Sequence, residues 1–448
     1  MIKLAPPFIK FMLSLCFSHL ILAPQLSLAA ENTRSTESPI QGTPIISGVE
    51  FKIDSHTFKA PRRYMVSLPE RYYASHRRYP VLYVIDGDFQ FQHVSALVTN
   101  LARMGKIPPM IVVGVATQGQ TDYLYSTTWP LAQSHADTTA SEYGGAAKMH
   151  DYLTHELLPR VNKQYRTSEQ NILAGYSMGG LFTFYSMLQQ GPFQAYLTMS
   201  PSLWYDDYSA ADKLKLFLEQ NKRPAKLYLS LANEEGMGVT EAVSVIEKSV
   251  EKNAEKSLGK SADKGSLKWD WQFKHYPDET HYSTAMPALY GAMEFLYPNY
   301  FSDLDVLLKI DTSEAVLAHF KAKQRLWGGF NFEWLQSYTL AKYFFITKQL
   351  DRVDDFLNSA HEAFPASAAE LNTQFAKGFI IKGLPDKALE LLKKVKNEGE
   401  LSADWQQQVS LSYQALGKHQ LAKRHHQQAL ALAKKYQLAS WEWWELNP

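Results

Sequence analysis

The segment NILAGYSMGG, residues 171–180, decides the fold of this chain. Its first half is a short apolar run that predicts a buried strand, and the residues that follow it, LFTFYSML, predict an amphipathic helix. Between them Ser177 stands in the pattern Gly-x-Ser-x-Gly, with Gly175 and Gly179 on either side. Small residues there let strand and helix approach, and the sharp turn lifts the serine hydroxyl above the sheet. The segment therefore predicts a nucleophilic serine, which needs a base and an oxyanion site from elsewhere in the chain.

Apolar runs on both sides of this segment predict a parallel sheet. YPVLYVIDGD, residues 79–88, and MIVVGVA, residues 110–116, are typical of strands buried on both faces, and the residues between them have helical spacing. Strand–helix–strand units of this kind form right-handed crossovers. We therefore predict an α/β-hydrolase fold with a doubly wound sheet over residues 46–300, which begins with antiparallel strands.

A long polar segment interrupts this pattern at residues 117–145, which are rich in Gln, Thr, Tyr and Ser. It is too long for a plain connection and ends in Gly144 and Gly145, so we expect a loop. Loops of this length usually carry function.

The chain changes character after the predicted sheet. From residue 331 no strand pattern occurs, and turn-like markers recur at Lys348, Gly383 and Gly417, the last two of which lie 34 residues apart. A period of 34 residues with helix, tight turn and helix is typical of tetratricopeptide repeats. We predict a helical linker at 301–330 and an all-α, tetratricopeptide-like solenoid of helical hairpins at 331–448, which could bind a protein or a second copy of the chain.

The N-terminal residues predict a secretory signal. A basic start and an apolar run are followed by small residues at 27–30 and then by a polar stretch. This three-part form predicts cleavage after Ala29 or Ala30, and hence a bacterial protein that is periplasmic or secreted and keeps no stable membrane anchor. We therefore expect a signal peptide over residues 1–29 and a flexible leader over residues 30–45.

Composition excludes several classes of function. The 448 residues are 45% hydrophobic, which is ample for two or three packed domains, and 46 basic against 45 acidic residues give no indication of nucleic-acid binding. The single cysteine, Cys16, lies in the predicted signal, so we expect no disulfide and no thiol chemistry in the mature chain. His425 and His426 are adjacent on a predicted helix and cannot share one face, and no metal-binding or nucleotide-binding motif occurs. We expect neither a metal nor a cofactor.

The general base should come last in the chain, after the nucleophile and the acid. His281 lies in the loop Pro-Asp-Glu-Thr-His-Tyr-Ser after the last predicted strand, where an imidazole could reach Ser177. His275 falls within the strand pattern, so we expect it in the sheet. We therefore predict His281 as the general base.

The acid should follow the strand KLYLSLA, residues 226–232, which ends in Asn-Glu-Glu-Gly. We predict Glu235 as the carboxylate that accepts the imidazole proton, with Glu234 as the alternative, because adjacent side chains point in different directions. Three aspartates that we expect at helix starts or turns are weaker candidates: Asp206, Asp207 and Asp278.

Backbone amides should bind the oxyanion. We predict the amide of Met178, which follows the nucleophile, and the amide of Asp88, in the loop after the strand VLYVI.

Five separate blocks of the chain, in their order and spacing, resemble the esterase family of α/β hydrolases. That family includes enterochelin and salmochelin esterases, feruloyl esterases, S-formylglutathione hydrolase and the antigen 85 acyltransferases. The blocks are YPVLYVIDGD, GGAAKMHDYLTHELLPRVNKQYRTS, GYSMGGLF, YLTMSPSLWYDD and ETHYS. The resemblance covers roughly residues 46–298 and implies the same serine nucleophile, histidine, glutamate and amide donors as above. It also implies that SPSLW, which ends at Trp204, lies near the active site.

The residues and the resemblance together predict an exported serine carboxylesterase that hydrolyses a small-molecule ester through an acyl-enzyme. Siderophore-esterase relatives tend to carry arginines in the long loop, where this chain has TDYLYSTTWP, which weakens the case for an anionic ferric siderophore. We therefore expect a small or aromatic-acyl ester, preferably neutral, and a siderophore-type ester stays open. Six aromatic side chains are candidates for the wall of the cleft: Phe89, Phe91, Tyr123, Tyr125, Trp129 and Trp204. Two alternatives stay open, an acyltransferase of the same fold and a non-catalytic scaffold that binds through its helical repeats.

Overall fold

Eight strands form the mixed sheet of the computed structural model, which describes residues 45–132, 142–220, 226–258 and 270–446, with the backbone alone at 252–258. The strands are β1 (Val49–Ser55), β2 (Ala60–Ser67), β3 (Tyr79–Ile85), β4 (Ile111–Val115), β5 (Thr167–Tyr176), β6 (Ala195–Met199), β7 (Lys226–Ala232) and β8 (Asp270–Tyr276). The predicted signal peptide lies outside the described residues, as does most of the predicted leader.

The strand order in the sheet is β1-β2-β4-β3-β5-β6-β7-β8. The pairs β1–β2 and β2–β4 are antiparallel, and all other pairs are parallel. The central strand β3 is buried along its whole length, which explains its unbroken apolar sequence. Because β3, β5, β7 and β8 run in the same direction, the loops that follow them meet at one edge of the sheet.

Helices cover both faces of the sheet. In chain order they are α1 (Gly87–Arg103), α2 (Gln120–Thr127), α3 (Ala146–Asp151), α4 (Leu158–Gln164), α5 (Met178–Leu188), α6 (Tyr205–Glu219), α7 (Val239–Leu258) and α8 (Ala285–Leu296). A π-helical turn at Tyr152–Leu157 joins α3 to α4. Helices α1 and α8 pack on one face, and the helices from α3 to α7 pack on the other.

The predicted loop at residues 117–145 contains a helix, α2, and the expectation of a loop throughout is wrong there. This helix is short and its apolar residues do not form one stripe, so periodicity does not reveal it. A tertiary contact holds it: the buried guanidinium of Arg62 donates to Asp122 at 2.8 Å. Residues 133–141 of the same segment lie outside the described residues.

The residues from 304 onward that the structure describes are helical hairpins. The helices are α9 (Leu304–Leu307), α10 (Ser313–Trp327), α11 (Trp334–Ile346), α12 (Val353–Ala363), α13 (Ala368–Ile381), α14 (Pro385–Lys394), α15 (Lys396–Gly399), α16 (Ala403–Ala415), α17 (His419–Lys435) and α18 (Ser440–Leu446). The three recurring markers of the sequence, Lys348, Gly383 and Gly417, all have positive φ in the turns between helices. Glycine adopts such a turn without strain, which explains two of the three markers.

The helical half shares an apolar core with one face of the sheet. The cluster runs from Leu82 and Val84 of β3 through α1 and α8 to Phe320, Phe344 and other residues of the helical hairpins. Residues 46–448 accordingly form one compact unit. The division into an esterase domain, a linker and a tetratricopeptide-like solenoid stays a prediction. Within the described ranges, no helix has the length and apolarity needed to cross a membrane.

Candidate active site

The turn between β5 and α5 holds Ser177 in a strained conformation. Its φ of 57° and ψ of −121° lie outside the regions that non-glycine residues prefer, a cost that tends to occur at functional sites. Gly175 is required there, because a Cβ on it would lie 2.0 Å from the carbonyl oxygen of Gly179. A Cβ on Gly179 itself would meet Ile85 at an ordinary 3.4 Å. The close approach of strand and helix therefore depends on the first glycine of the pattern.

A chain of hydrogen bonds links Ser177 to a histidine and a carboxylate. His281 Nε2 lies 3.0 Å from Ser177 Oγ, and His281 Nδ1 lies 2.7 Å from Glu234 Oε2. The serine follows β5, the glutamate follows β7 and the histidine follows β8, so strand ends at one edge of the sheet supply all three side chains. This geometry allows the histidine to take the serine proton while the carboxylate fixes the imidazole tautomer.

The structure corrects the predicted acid from Glu235 to the alternative, Glu234. The amide of Asn233 donates to the carbonyl of Glu279 at 2.8 Å, which fixes the β7 loop against the β8 loop that carries the histidine. In that register Glu234 is partly buried against the imidazole, and Glu235 is exposed to solvent. Asp206 lies elsewhere, where it accepts hydrogen bonds from the Trp129 indole and the Ala132 amide.

Two further side chains support the site, and sequence reasoning did not single them out. The Tyr176 hydroxyl donates to the carbonyl of His281, and the two rings pack with centroids 5.0 Å apart. The Ser202 hydroxyl lies 3.4 Å from Ser177 Oγ, and its amide donates to the Ser177 carbonyl at 3.1 Å. In the sequence, Tyr176 immediately precedes Ser177, and Ser202 belongs to the SPSLW block. These positions beside the motifs were the signal that could have identified both residues.

The start of α1, after β3, lies beside the turn that holds Ser177. Asp86 has left-handed geometry with φ of 61°, and α1 begins at Gly87, so the amides of Gly87 and Asp88 have no acceptor within their own helix. Ile85, the last residue of β3, is the residue that Gly179 faces. The predicted donors, Asp88 and Met178, are thus both at helix starts, where amides favour negative charge.

The carboxyl of Asp86 is partly buried, and its pKa is unusually high. Burial raises the pKa of its carboxyl to about 6, a hydrogen bond from the Thr117 hydroxyl opposes this, and the nearby charge of Asp88 adds to it. A negative charge at this position is therefore costly near neutral pH.

The six aromatic residues predicted to line the cleft occupy different environments. Phe89 is 75% exposed, and Trp204 is partly buried. Trp129 and Phe91 are buried in the core, so their assignment to an open cleft is wrong: Trp129 packs on Tyr205. The Tyr125 ring covers Gly145, and Tyr123 directs its hydroxyl to the start of α5. An aromatic side chain in a sequence does not reveal which of these roles it has.

No group of three or more His, Cys, Asp or Glu side chains able to hold a metal ion occurs among the residues whose placement is described. Together, Ser177, His281 and Glu234 can perform proton transfer and nucleophilic attack by the serine hydroxyl.

Comparison with known proteins identifies relatives of the α/β half. The family described as "Putative esterase" matches residues 55–270. An apo-salmochelin esterase from Escherichia coli O6:H1 is 32% identical over 136 residues, which are 28% of this chain and 42% of that relative. A siderophore triacetylfusarinine C esterase from Aspergillus fumigatus is 24% identical over 152 residues, which are 32% of this chain and 51% of that relative. The chain thus spans about half the length of the curated relatives it matches.

A solved structure shares the fold. The IroE-like serine hydrolase from Shewanella oneidensis aligns with a TM-score of 0.52 at 24% identity, over 68% of this chain and 96% of its own. Both Ser177 and Glu234 fall within the residues that match the family, and His281 follows them.

Proposed function

We propose that the protein is a serine carboxylesterase that acts through Ser177, His281 and Glu234, and the match of residues 55–270 to the esterase family supports this. One observation carries the proposal, the unbroken chain of hydrogen bonds from the serine hydroxyl through the imidazole to the carboxylate. Such a chain is what activates a serine that would otherwise be a weak nucleophile.

The proposed reaction has two stages. Ser177 Oγ attacks the ester carbonyl while His281 Nε2 takes its proton, and the imidazolium then protonates the departing alcohol. Water, activated by the same imidazole, hydrolyses the acyl-enzyme and restores the serine. The amides of Met178 and Asp88 stabilise the oxyanion in both stages.

Replacement of the nucleophile tests this proposal. We expect Ser177→Ala to abolish turnover of p-nitrophenyl acetate with little change in melting temperature, because only the hydroxyl is removed. A fluorophosphonate probe should label the wild-type chain at Ser177 and leave the variant unlabelled. Ser202→Ala is the matched control, since it removes the neighbouring hydroxyl, and it should still be labelled. Undiminished turnover by Ser177→Ala would disprove the assignment.

We propose that the substrate is a small, neutral ester with an aromatic part. The two curated relatives are named as an apo-salmochelin esterase and a siderophore triacetylfusarinine C esterase. In this chain, however, the segments that follow the strands carry acidic residues and neither Lys nor Arg, at residues 86–88, 117–122, 200–208, 233–238 and 277–284. Arg62 and Arg63 of β2 pair with Asp122 and Asp88, so the uncompensated negative charge comes from the other acidic residues of these segments. Acidic residues at the edge of a cleft repel anions and slow their association. The exposed Phe89 and Tyr282 offer apolar surface beside the site.

Two esters of equal acyl length test the charge preference. We expect the kcat/KM for p-nitrophenyl butyrate to exceed that for p-nitrophenyl hemisuccinate by about tenfold or more, because only the second carries a carboxylate. The difference should narrow as salt is added, since salt screens exposed charges. A preference for the hemisuccinate would refute the neutral substrate and leave the triad untouched.

We also propose that the protein is exported, on the basis of the basic, apolar and small-residue pattern of residues 1–30. Expression of the full chain in a Gram-negative host, followed by N-terminal sequencing of the periplasmic fraction, should find Ala30 or Glu31 first. Recovery of the uncleaved chain from the cytoplasm would contradict export.

A further inference from the structure

The hydroxyl of Tyr123 lies at the start of α5, beside the proposed nucleophile. Its oxygen accepts a hydrogen bond from the Gly179 amide at 3.1 Å. The same oxygen faces the Met178 amide and the Ser177 hydroxyl. The amide that follows the nucleophile, here that of Met178, is an oxyanion donor in this type of turn. The phenol therefore reaches the oxyanion site, although its residue belongs to the helix α2.

Within the described part of the chain, the carbonyl that accepts from this hydroxyl is a distant one, and the other oxygen close by is the Ser177 hydroxyl, which can itself donate. The carbonyl is that of Tyr176 at 3.4 Å, which is at the long end for an O–H···O hydrogen bond. An oxyanion is a much stronger acceptor than a distant carbonyl, because hydrogen bonds to ionised oxygen are short and about twice as strong. The O–H would therefore turn to an oxyanion as the oxyanion forms.

Tertiary contacts hold Tyr123 in place before any substrate arrives. Asp122, the preceding residue, accepts from the Arg62 guanidinium at 2.8 Å and from the Gln118 amide at 2.7 Å. The Thr127 hydroxyl donates to the Tyr123 carbonyl. A donor fixed in advance stabilises developing charge without the cost of rearrangement.

Burial also keeps the hydroxyl protonated. Burial raises the pKa of the Tyr123 phenol, and the nearby carboxyl of Asp86 raises it further, while the amides of Gly179 and Met178 oppose this. The group thus remains a hydrogen-bond donor throughout the pH range in which an imidazole base operates.

Resting on the proposed esterase activity, we propose that Tyr123 is a catalytic residue whose hydroxyl donates a hydrogen bond to the oxyanion, together with the amides of Met178 and Asp88. As Ser177 Oγ bonds to the carbonyl carbon, its proton passes to His281, and the π electrons of the carbonyl move onto oxygen. Tyr123 keeps its own proton throughout. Collapse of the intermediate re-forms the carbonyl and expels the alkoxide, which takes the proton from His281.

Removal of the hydroxyl tests the role directly. In the full chain, Tyr123→Phe should lower kcat for p-nitrophenyl acetate by about 10²–10³-fold with little change in KM, the range seen when one oxyanion donor is lost. Tyr196→Phe is the matched control. It deletes another buried tyrosine hydroxyl, which donates to the Gly191 carbonyl at 2.7 Å, and it should change melting temperature without changing kcat.

A tetrahedral inhibitor separates catalysis from structural support. An aryl trifluoromethyl ketone forms an oxyanion on Ser177, so Tyr123→Phe should weaken its binding by a factor similar to the loss in kcat. If the fluorophosphonate probe labels the wild type but Tyr123→Phe has an equal or higher kcat, the role of Tyr123 is overturned and the esterase assignment stays intact. A higher kcat would mean that the phenol obstructs the site. A wild-type chain that neither hydrolyses esters nor reacts with the probe would overturn both.

Discussion

At the scale of single residues, Glu234 gives one carboxylate oxygen to His281, and its other oxygen, Oε1, has no hydrogen-bond partner among the described residues. We expect Glu234→Gln to lower kcat by about 10²–10⁴-fold, because an amide neither stabilises the imidazolium nor enforces the required tautomer. Steady-state hydrolysis of p-nitrophenyl acetate measures this. The exposed neighbour provides the control, and Glu235→Gln should retain nearly all activity. Equal losses in the two variants would contradict the assignment of the acid.

The choice between Glu234 and Glu235 also shows what a sequence can predict at the scale of single residues. The residues Ser177 and His281 follow from chain order and from the elements around them, and the structure brings their side chains together. The choice between Glu234 and Glu235 does not follow, since it depends on the hydrogen bond that joins Asn233 to Glu279 across two loops. Such a contact leaves no periodic signal in either loop.

Asp86 makes stability depend on pH. Its pKa rises from an ordinary 3.8 to about 6 on folding, so the folded state binds its proton more tightly than the unfolded state does. The resulting stabilisation is complete below about pH 3.8 and is lost as the pH rises through about 6. The loss amounts to at most about 3 kcal/mol, from 1.36 kcal/mol for each unit of pKa.

Asp86→Asn removes the titrating carboxyl and keeps a side chain that tolerates left-handed geometry. We expect the variant to gain stability relative to the wild type as the pH rises from 4 to 7, by up to about 3 kcal/mol. Urea unfolding at a series of pH values measures the difference. A difference that stays constant over this range would show that burial of Asp86 carries no such cost.

At the scale of elements, the turn between β5 and α5 distinguishes its two motif glycines. Gly175→Ala would place a methyl group 2.0 Å from the Gly179 carbonyl oxygen, and neither backbone can move away without separating strand from helix. We expect this variant to lose several kcal/mol of stability or to fail to fold. Gly179→Ala meets only Ile85 at 3.4 Å, and alanine favours a helix over glycine by about 1 kcal/mol. It should therefore unfold at the wild-type temperature or slightly above it, as circular dichroism would measure.

The elements that the sequence predicted well are those with a strong local pattern, either an unbroken apolar run or a helical period. Runs buried on both faces predicted β3 and β4, and the helix that follows Ser177 was expected from its apolar residues. The helix α2 was not expected, because Arg62, distant in the sequence, supplies the ion pair that holds it. Asp206 and Asp207 lie in the first turn of α6, as expected for carboxylates at a helix start or turn, but the sequence did not predict the left-handed geometry that they share with Tyr208.

At the scale of the whole molecule, an ion-pair network joins the α/β half to the helical hairpins. Arg71, in the loop after β2, contacts Glu370 of α13 at 3.0 Å and also contacts Glu442 of α18. Arg77 of the same loop contacts Glu333, next to α11. These partners lie some hundreds of residues away in the sequence, so local patterns predicted two halves and could not predict their attachment. The network adds polar specificity to the shared apolar core.

Loss of Arg71 should therefore weaken the whole molecule. Arg71→Met leaves the carboxylates of Glu370 and Glu442 largely buried without their cation, and we expect a loss of about 3–5 kcal/mol in urea unfolding. Burial already raises the pKa of Glu370 despite the opposing charge of Arg71. A carboxyl with a raised pKa costs stability as the pH increases, so the loss should be larger at pH 8 than at pH 5, where protonation relieves it.

A surface ion pair provides the control for this prediction. Arg352 lies 3.6 Å from Asp351 with both side chains mostly exposed, so Arg352→Met should change stability by less than about 0.5 kcal/mol. The double variant Arg71→Met, Glu442→Gln should recover part of the loss, because it removes one of the two stranded charges. Equal stability of Arg71→Met and Arg352→Met would mean that apolar packing alone attaches the helical half. If Glu442→Gln restores part of the stability lost in Arg71→Met, the buried charges help to attach the helical half to the α/β half.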